Sequence, residues 1–275
     1  MLRRFYVPHI DGSAVALDPE QARHAQRTLR LQPGDAVELF DGRGAVARGR
    51  LEGVGKATAV AVESLHRLPP PCPDLAVAVA VPKGARADAM VEGLVQVGVN
   101  RIVPLLCERS VVEPGEGKQR RFERIAVEAA KQSGRAHLPR IDAPTELASA
   151  LHAWARASPP DNALRLVADA PAGAADAPAE SDENQGAAPR PRPLQMMHRG
   201  HDSALRGAML NGTESVRLLV GPEGGWTDGE RDAARAAGFE PWRFNPFVLR
   251  VETAAVVAAG LVRAMAMSPS GTGKT

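Results

Sequence analysis

RLLVGPEGGWTDGERDAARAAGFEPWRFNPFVLRVE, residues 217–252, is the segment from which the rest of the chain is best understood. It opens with an apolar run, Leu218 to Val220, that reads as a buried strand and breaks sharply at Gly221-Pro222-Glu223-Gly224-Gly225. A helix is predicted next: Thr227 and Glu230 have capping-box spacing, and Gly238 supplies the stop. A strand ending in a glycine-rich turn ahead of a helix leaves backbone N–H and C=O groups uncovered, which suits close approach by a nucleotide-like ligand. A plain tight turn is the alternative that this motif leaves open.

A second segment follows closely, Val248-Leu249-Arg250-Val251-Glu252-Thr253-Ala254, starting another apolar helix. The pair GPEGG and VLRVETA resembles the RsmE family, the 16S ribosomal RNA uridine N3-methyltransferases of the knotted SPOUT class. The resemblance implies an α/β fold in which a trefoil-knotted parallel-sheet domain follows a small PUA-like β-barrel domain. It also implies a pocket for S-adenosylmethionine, built from Val220, Gly221, Glu223, Gly224, Gly225, Asn245, Val248 and Leu249. Arg250 is the candidate cation for charge that develops on uracil oxygens when N3 loses its proton, and Glu252 is a second catalytic candidate. A structural ion pair of Arg250 with Glu223 or Glu252 is the competing reading. Glu223 and Glu252 could equally anchor the cofactor or cap a helix.

Composition places the chain among ordinary soluble globular proteins, with 44% hydrophobic and 24% charged residues in 275. The balance of 34 Lys plus Arg against 32 Asp plus Glu is only +2, so an RNA-binding case must rest on local clusters. Aromatic residues make up 4%, which disfavours a module that works by stacking bases on exposed rings. Cys72 and Cys107 lack metal-ligand or redox spacing, no metal is expected, and a reducing cytoplasm is the expected compartment. The apolar run Thr253 to Val262 is too short to span a bilayer.

Residues 1–70 read as a small, mostly β module, with strands around Val37 to Phe40, Ala45 to Leu51 and Ala57 to Val62. One helix is expected over Pro19 to Leu31, where Arg23, Arg27 and Arg30 fall on one face. That stripe is either a solvated face or a grip on RNA phosphates. HAQRTLRLQPGD and FDGRG resemble the family's RNA-binding domain, and Arg3 and Arg4 would extend the same surface.

The proline-rich run Leu68 to Pro73 is a stiff linker, after which strands and helices alternate over residues 74–267. PKGARAD, GVNRIVPLLCERSVV and EAAKQSGRAHLPRI in this region also resemble the family. Lys118, Arg120, Arg121 and Arg124 open one of its helices, as a solvated helix end or as an RNA contact. Residues 170–193 have almost nothing to bury and read as a disordered insertion, and residues 268–275 as a flexible tail. The sequence departs from the family at Phe244-Asn245, Phe247 and Gln96. Asn245 is expected to keep the turn by tolerating left-handed backbone.

The function that the resemblance implies is methylation of uridine N3 in 16S ribosomal RNA of the small subunit, by a homodimer. A non-catalytic RNA-binding protein of the same fold and a methyltransferase with another RNA target are the alternatives.

Overall fold

The computed structural model describes residues 2–53, 58–110, 116–156, 163–169 and 213–267. The expected insertion at 170–193 and tail at 268–275 lie outside the described residues.

The first five strands, β1 (Arg3–Tyr6), β2 (Ala14–Ala16), β3 (Ala36–Phe40), β4 (Ala45–Glu52) and β5 (Ala59–Arg67), form one sheet in the order β1-β3-β4-β5-β2. Alternate residues of β4 point inward, and Phe5, Val37, Leu39, Leu51 and Val60 meet in a closed apolar core. Helix α1 (Pro19–Arg23) starts at Asp18, whose carboxylate accepts from the Glu20 and Gln21 N–H groups. Burial pushes that carboxyl up, but the Gln21 and Glu20 hydrogen bonds outweigh it and hold it below its ordinary value.

The single helix expected over Pro19 to Leu31 is corrected here. After Arg23 the chain widens into a π turn, His24–Thr28, and Arg30 takes a left-handed φ of 53°. The physical reason is packing: Leu29 and Leu31 both lie against the small core, which two residues so spaced on a regular helix could not do. Arg30 therefore leaves the helical face of Arg23 and Arg27, although all three remain exposed.

The second sheet is parallel throughout and covered on both faces. Its strands β6 (Asp74–Ala80), β7 (Arg101–Leu106), β8 (Arg140–Ile141), β10 (Leu164–Ala168), β11 (Ser215–Val220) and β12 (Glu240–Trp242) run in the order β12-β10-β11-β6-β7-β8, and β9 (Thr145–Glu146) also pairs with β7. Leu75, Val77 and Val79 face one layer with α2 (Ala85–Gln96), α3 (Glu116–Ser133) and α6 (Val251–Met267). Ala76 and Ala78 face the other, with α4 (Leu147–Arg156) and α5 (Asp228–Ala236). Burial on both sides is why these strands read as continuous apolar runs rather than alternating ones. Among the described residues no helix is long and apolar enough to cross a membrane.

The two sheets join through backbone and arginine. The Leu138 N–H donates to Gly42 O at 2.9 Å and the Gly44 N–H to Ala136 O at 3.2 Å, while Phe40 and Val46 sit in the core of the larger layer. Arg4 corrects another expectation. Its side chain is 4% exposed, with Nη1 donating to Ala130 O (2.9 Å) and Arg135 O (3.2 Å), Nε 2.7 Å from Glu38 Oε1, and the guanidinium over the Phe40 ring. The alternation of β1 explains it, since Arg4 and Tyr6 point away from the face that Phe5 buries in the small core and toward α3.

Candidate active site

The carboxyl ends of β10 and β11 open into a cavity of about 270 Å³. A crevice at this edge of a parallel sheet is where ligands of open α/β folds bind. Its floor is the expected glycine-rich turn, closed by the Gly225 N–H donating to Pro222 O at 2.9 Å. Gly225 has φ of 70°, a backbone region that L side chains rarely adopt. A Cβ at Gly221 would stand 2.7 Å from the Trp226 ring, so glycine there lets that ring wall the cavity. Trp226 is buried, and its indole N–H donates to Ala168 O at 3.3 Å, tying the wall to β10.

The capping box is present in full. Thr227 accepts from the Glu230 N–H, the Glu230 carboxylate accepts from the Thr227 N–H, and Gly238 ends the helix with φ of 79°. Glu230 also accepts from the Glu108 N–H at 2.9 Å, bracing the loop after β7 against α5. Its charge together with burial pushes the neighbouring Cys107 thiol up to about 12, burial being the larger cause. Cys72 is exposed, and among the described residues no cluster of His, Cys, Asp or Glu could hold a metal ion.

Phe244, Asn245, Phe247, Val248, Leu249 and Val251 return to line the same cavity. All eight expected cofactor contacts, Val220, Gly221, Glu223, Gly224, Gly225, Asn245, Val248 and Leu249, border this one cavity. Asn245 does not adopt the left-handed backbone expected of it, since Arg30 alone among described non-glycine residues has positive φ. Its side chain holds the turn instead, accepting from the Phe247 N–H at 2.8 Å. At the mouth stand two exposed apolar side chains, Phe247 (73%) and Val248 (66%).

The charged candidates divide. Arg250 is exposed and forms neither ion pair of the competing reading; its carbonyl accepts the Ala254 N–H at 2.8 Å, starting α6. It does not line the cavity, although Leu249 and Val251 on either side of it do. Glu252 also lies off the cavity, and its side chain is 15% exposed. The cation that meets the two glutamates is Arg86, with Nη1 3.0 Å from Glu223 Oε1 and 3.9 Å from Glu252 Oε2. Arg86 thereby ties the first turn of α2 to both loop segments of the site. Sequence reasoning missed it, together with Arg109, which lines the cavity and donates to Gly224 O at 2.9 Å. Both lie in family-like segments, PKGARAD and CERSVV, and that was the available signal.

The residues fit an adenosine-bearing cofactor. A rim of backbone groups freed by glycine suits hydroxyl and amino-acid groups, and the apolar side chains of Leu249, Val251 and Ala254 suit a base.

Residues 69–263 match the family model of the RNA methyltransferase domain, and residues 17–64 that of the RNA methyltransferase PUA domain. The chain is also 31% identical to the ribosomal RNA small subunit methyltransferase E of Synechocystis sp., over 92% of this chain and 74% of that protein. It belongs to this family. The fold agrees. The ribosomal RNA small subunit methyltransferase E of Neisseria gonorrhoeae, bound to S-adenosyl methionine, superposes with a TM-score of 0.73 at 24% identity, over 96% of this chain and 98% of that one. A Legionella pneumophila protein whose structure holds the bound cofactor SAM gives 0.73 at 25% identity over the same shares. For an RsmE-family chain, the cavity at the ends of β10 and β11 is the place to seek the methyl donor.

Proposed function

We propose that this chain methylates N3 of a uridine in 16S ribosomal RNA of the small subunit, using S-adenosylmethionine held between residues 220–226 and 244–251. One observation carries the reading: both family-like loop segments, separated by α5 and β12, wall a single cavity at the carboxyl edge of a parallel sheet. When bound there, the cofactor supplies an activated methyl group, so the protein's main task is alignment of the acceptor.

Arg250 is exposed and flanked by lining residues, and so is placed to meet the substrate rather than the donor. Its guanidinium stabilises the negative charge that spreads onto the uracil carbonyl oxygens as N3 gives up its proton. Glu223 and Glu252 are engaged by Arg86. We therefore assign Glu252 to positioning the start of α6 rather than to proton removal, and the proton leaves to water.

Residues 1–70 serve as the PUA-like RNA-binding part, with Arg3, Arg23, Arg27 and Arg30 exposed on it, and residues 74–267 as the catalytic part. The trefoil knot belongs to the same proposal, supported by the return of residues 244–251 to the turn at 221–225. So does a homodimer working in the cytoplasm, for which exposed Phe247 and Val248 offer apolar contact.

The test is incubation with S-adenosylmethionine and small ribosomal subunits lacking the modification, then digestion and nucleoside analysis. N3-methyluridine is the expected product. Cofactor binding without any methylated nucleoside would refute the assignment.

A further inference from the structure

We propose a second RNA contact, a cleft between the small sheet and α3 that takes a single-stranded stretch of the substrate. In it Arg120 and Arg124 meet phosphates and an apolar floor receives a base. The inference rests on the RNA methyltransferase reading and adds a site to it.

The cleft encloses about 710 Å³ and is walled by Tyr6 of β1, by Arg120, Arg124 and Val127 of α3, and by Leu138 and Ile141. That volume is within the roughly 300–1,000 Å³ usual for small-ligand sites, so a nucleotide can enter. Arg120 and Arg124 are four residues apart on α3 and project from one face. Both are exposed, and neither makes a hydrogen bond or ion pair among the described residues. Their neighbours differ. Arg121 is held by a bidentate pair with Asp88, and Arg140 lies 2.8 Å from Asp142 Oδ1. The carboxylate of Glu123 shares the wall, 3.5 Å from the Gln119 amide nitrogen.

Two uncommitted guanidiniums above an apolar floor, beside a half-buried tyrosine ring, match what a flexible ribonucleotide presents: phosphate on one side, a base face on the other. The position fits as well. α2 and α3 follow β6 and β7, so their first turns stand on the sheet edge that carries the cofactor cavity, and Arg121 and Asp88 tie those turns together. The floor residue Ile141 pairs with Ile102 near the start of β7, so a strand with its target uridine at the cavity leaves that edge beyond the first turn of α3 to enter the cleft.

The experiment uses the full chain and a single-stranded RNA oligonucleotide carrying the target uridine, with affinity measured against salt concentration. For R120Q/R124Q the expected result is roughly tenfold or greater loss of affinity, with a salt slope shallower by about 1.4, the value for two single-strand phosphates. Cofactor affinity should be unchanged, R120K/R124K should restore the slope, and R121Q, which removes an arginine already paired, should leave it near wild type. An unchanged slope in R120Q/R124Q, with wild-type methylation intact, would overturn this inference alone. So would an equal change of slope in R121Q. A wild-type chain that binds cofactor yet neither binds nor methylates RNA would overturn the functional reading and this site with it.

Discussion

Arginine does opposite work at the joint between the sheets and at the mouth of the active site. At the joint and in the larger layer behind it, Arg4, Arg135 and Arg263 are mostly or wholly buried and direct donors at carbonyl oxygens at or near the ends of α2 and α3. Arg4 reaches Ala130 in the last turn of α3 and Arg135 just beyond it, and Arg135 reaches Val95 in the last turn of α2 and Val99 just beyond it. Arg263 of α6 reaches Gly98 O at 2.7 Å, Pro73 O at 2.7 Å and the Asn100 side chain. Helix C-termini carry unpaired carbonyls and the negative end of the dipole, so a buried cation there is structural. Burial still tells on these groups: it pushes Arg135 down to about 10, with the Arg263 charge adding to the effect, and burial likewise lowers Arg263. At the mouth and the cleft, Arg250, Arg120 and Arg124 are exposed. The side chain is the same; whether the fold supplies it an acceptor decides whether it is committed to the structure or left free to meet a ligand.

The comparison breaks if the buried set can be removed cheaply. Arg263→Met strands three acceptors inside the protein and should cost about 3 kcal/mol, read by urea unfolding. A loss near zero would mean that the carbonyls find other partners. At the cavity, Gly221→Val drives a side chain into Trp226. It should weaken cofactor binding at least tenfold and cost about 2 kcal/mol, checked by calorimetric titration and thermal unfolding.

Much of this was legible in sequence, for identifiable reasons. Strand and helix alternation after the proline linker follows from apolar runs and glycine stops, and Thr227, Glu230 and Gly238 mark α5 because capping is a local matter of neighbouring residues. The eight lining residues were found because they occupy two short contiguous segments. Arg4 was misplaced because strand alternation says which residues share a face, not which face is covered by a helix more than 100 residues later. Arg86 was missed for a related reason, since its partners come from positions 137 and 166 residues away and only the tertiary fold unites them. The π turn at His24–Thr28 escaped notice because helical periodicity does not register one widened turn.

Smaller effects sharpen the picture. Thr227→Ala removes one half of the capping box and should cost about 1 kcal/mol in thermal unfolding, with cofactor affinity little altered. The two cysteines repeat the contrast between buried and exposed groups on a finer scale. At pH 8 an alkylating reagent should label exposed Cys72 and leave Cys107 largely unreacted, because a thiol pushed up to about 12 stays protonated there. Mass spectrometry of the labelled peptides reads this directly, and rapid labelling of both would show that the loop after β7 opens.

The most direct test of the account is the turnover of Arg250→Ala on small ribosomal subunits, measured at saturating S-adenosylmethionine. An exposed arginine that serves only the transition state should lower kcat by about 100-fold or more while the unfolding midpoint and cofactor affinity stay at wild type. Wild-type turnover in this variant would contradict the role given to Arg250 and the division of arginines built upon it.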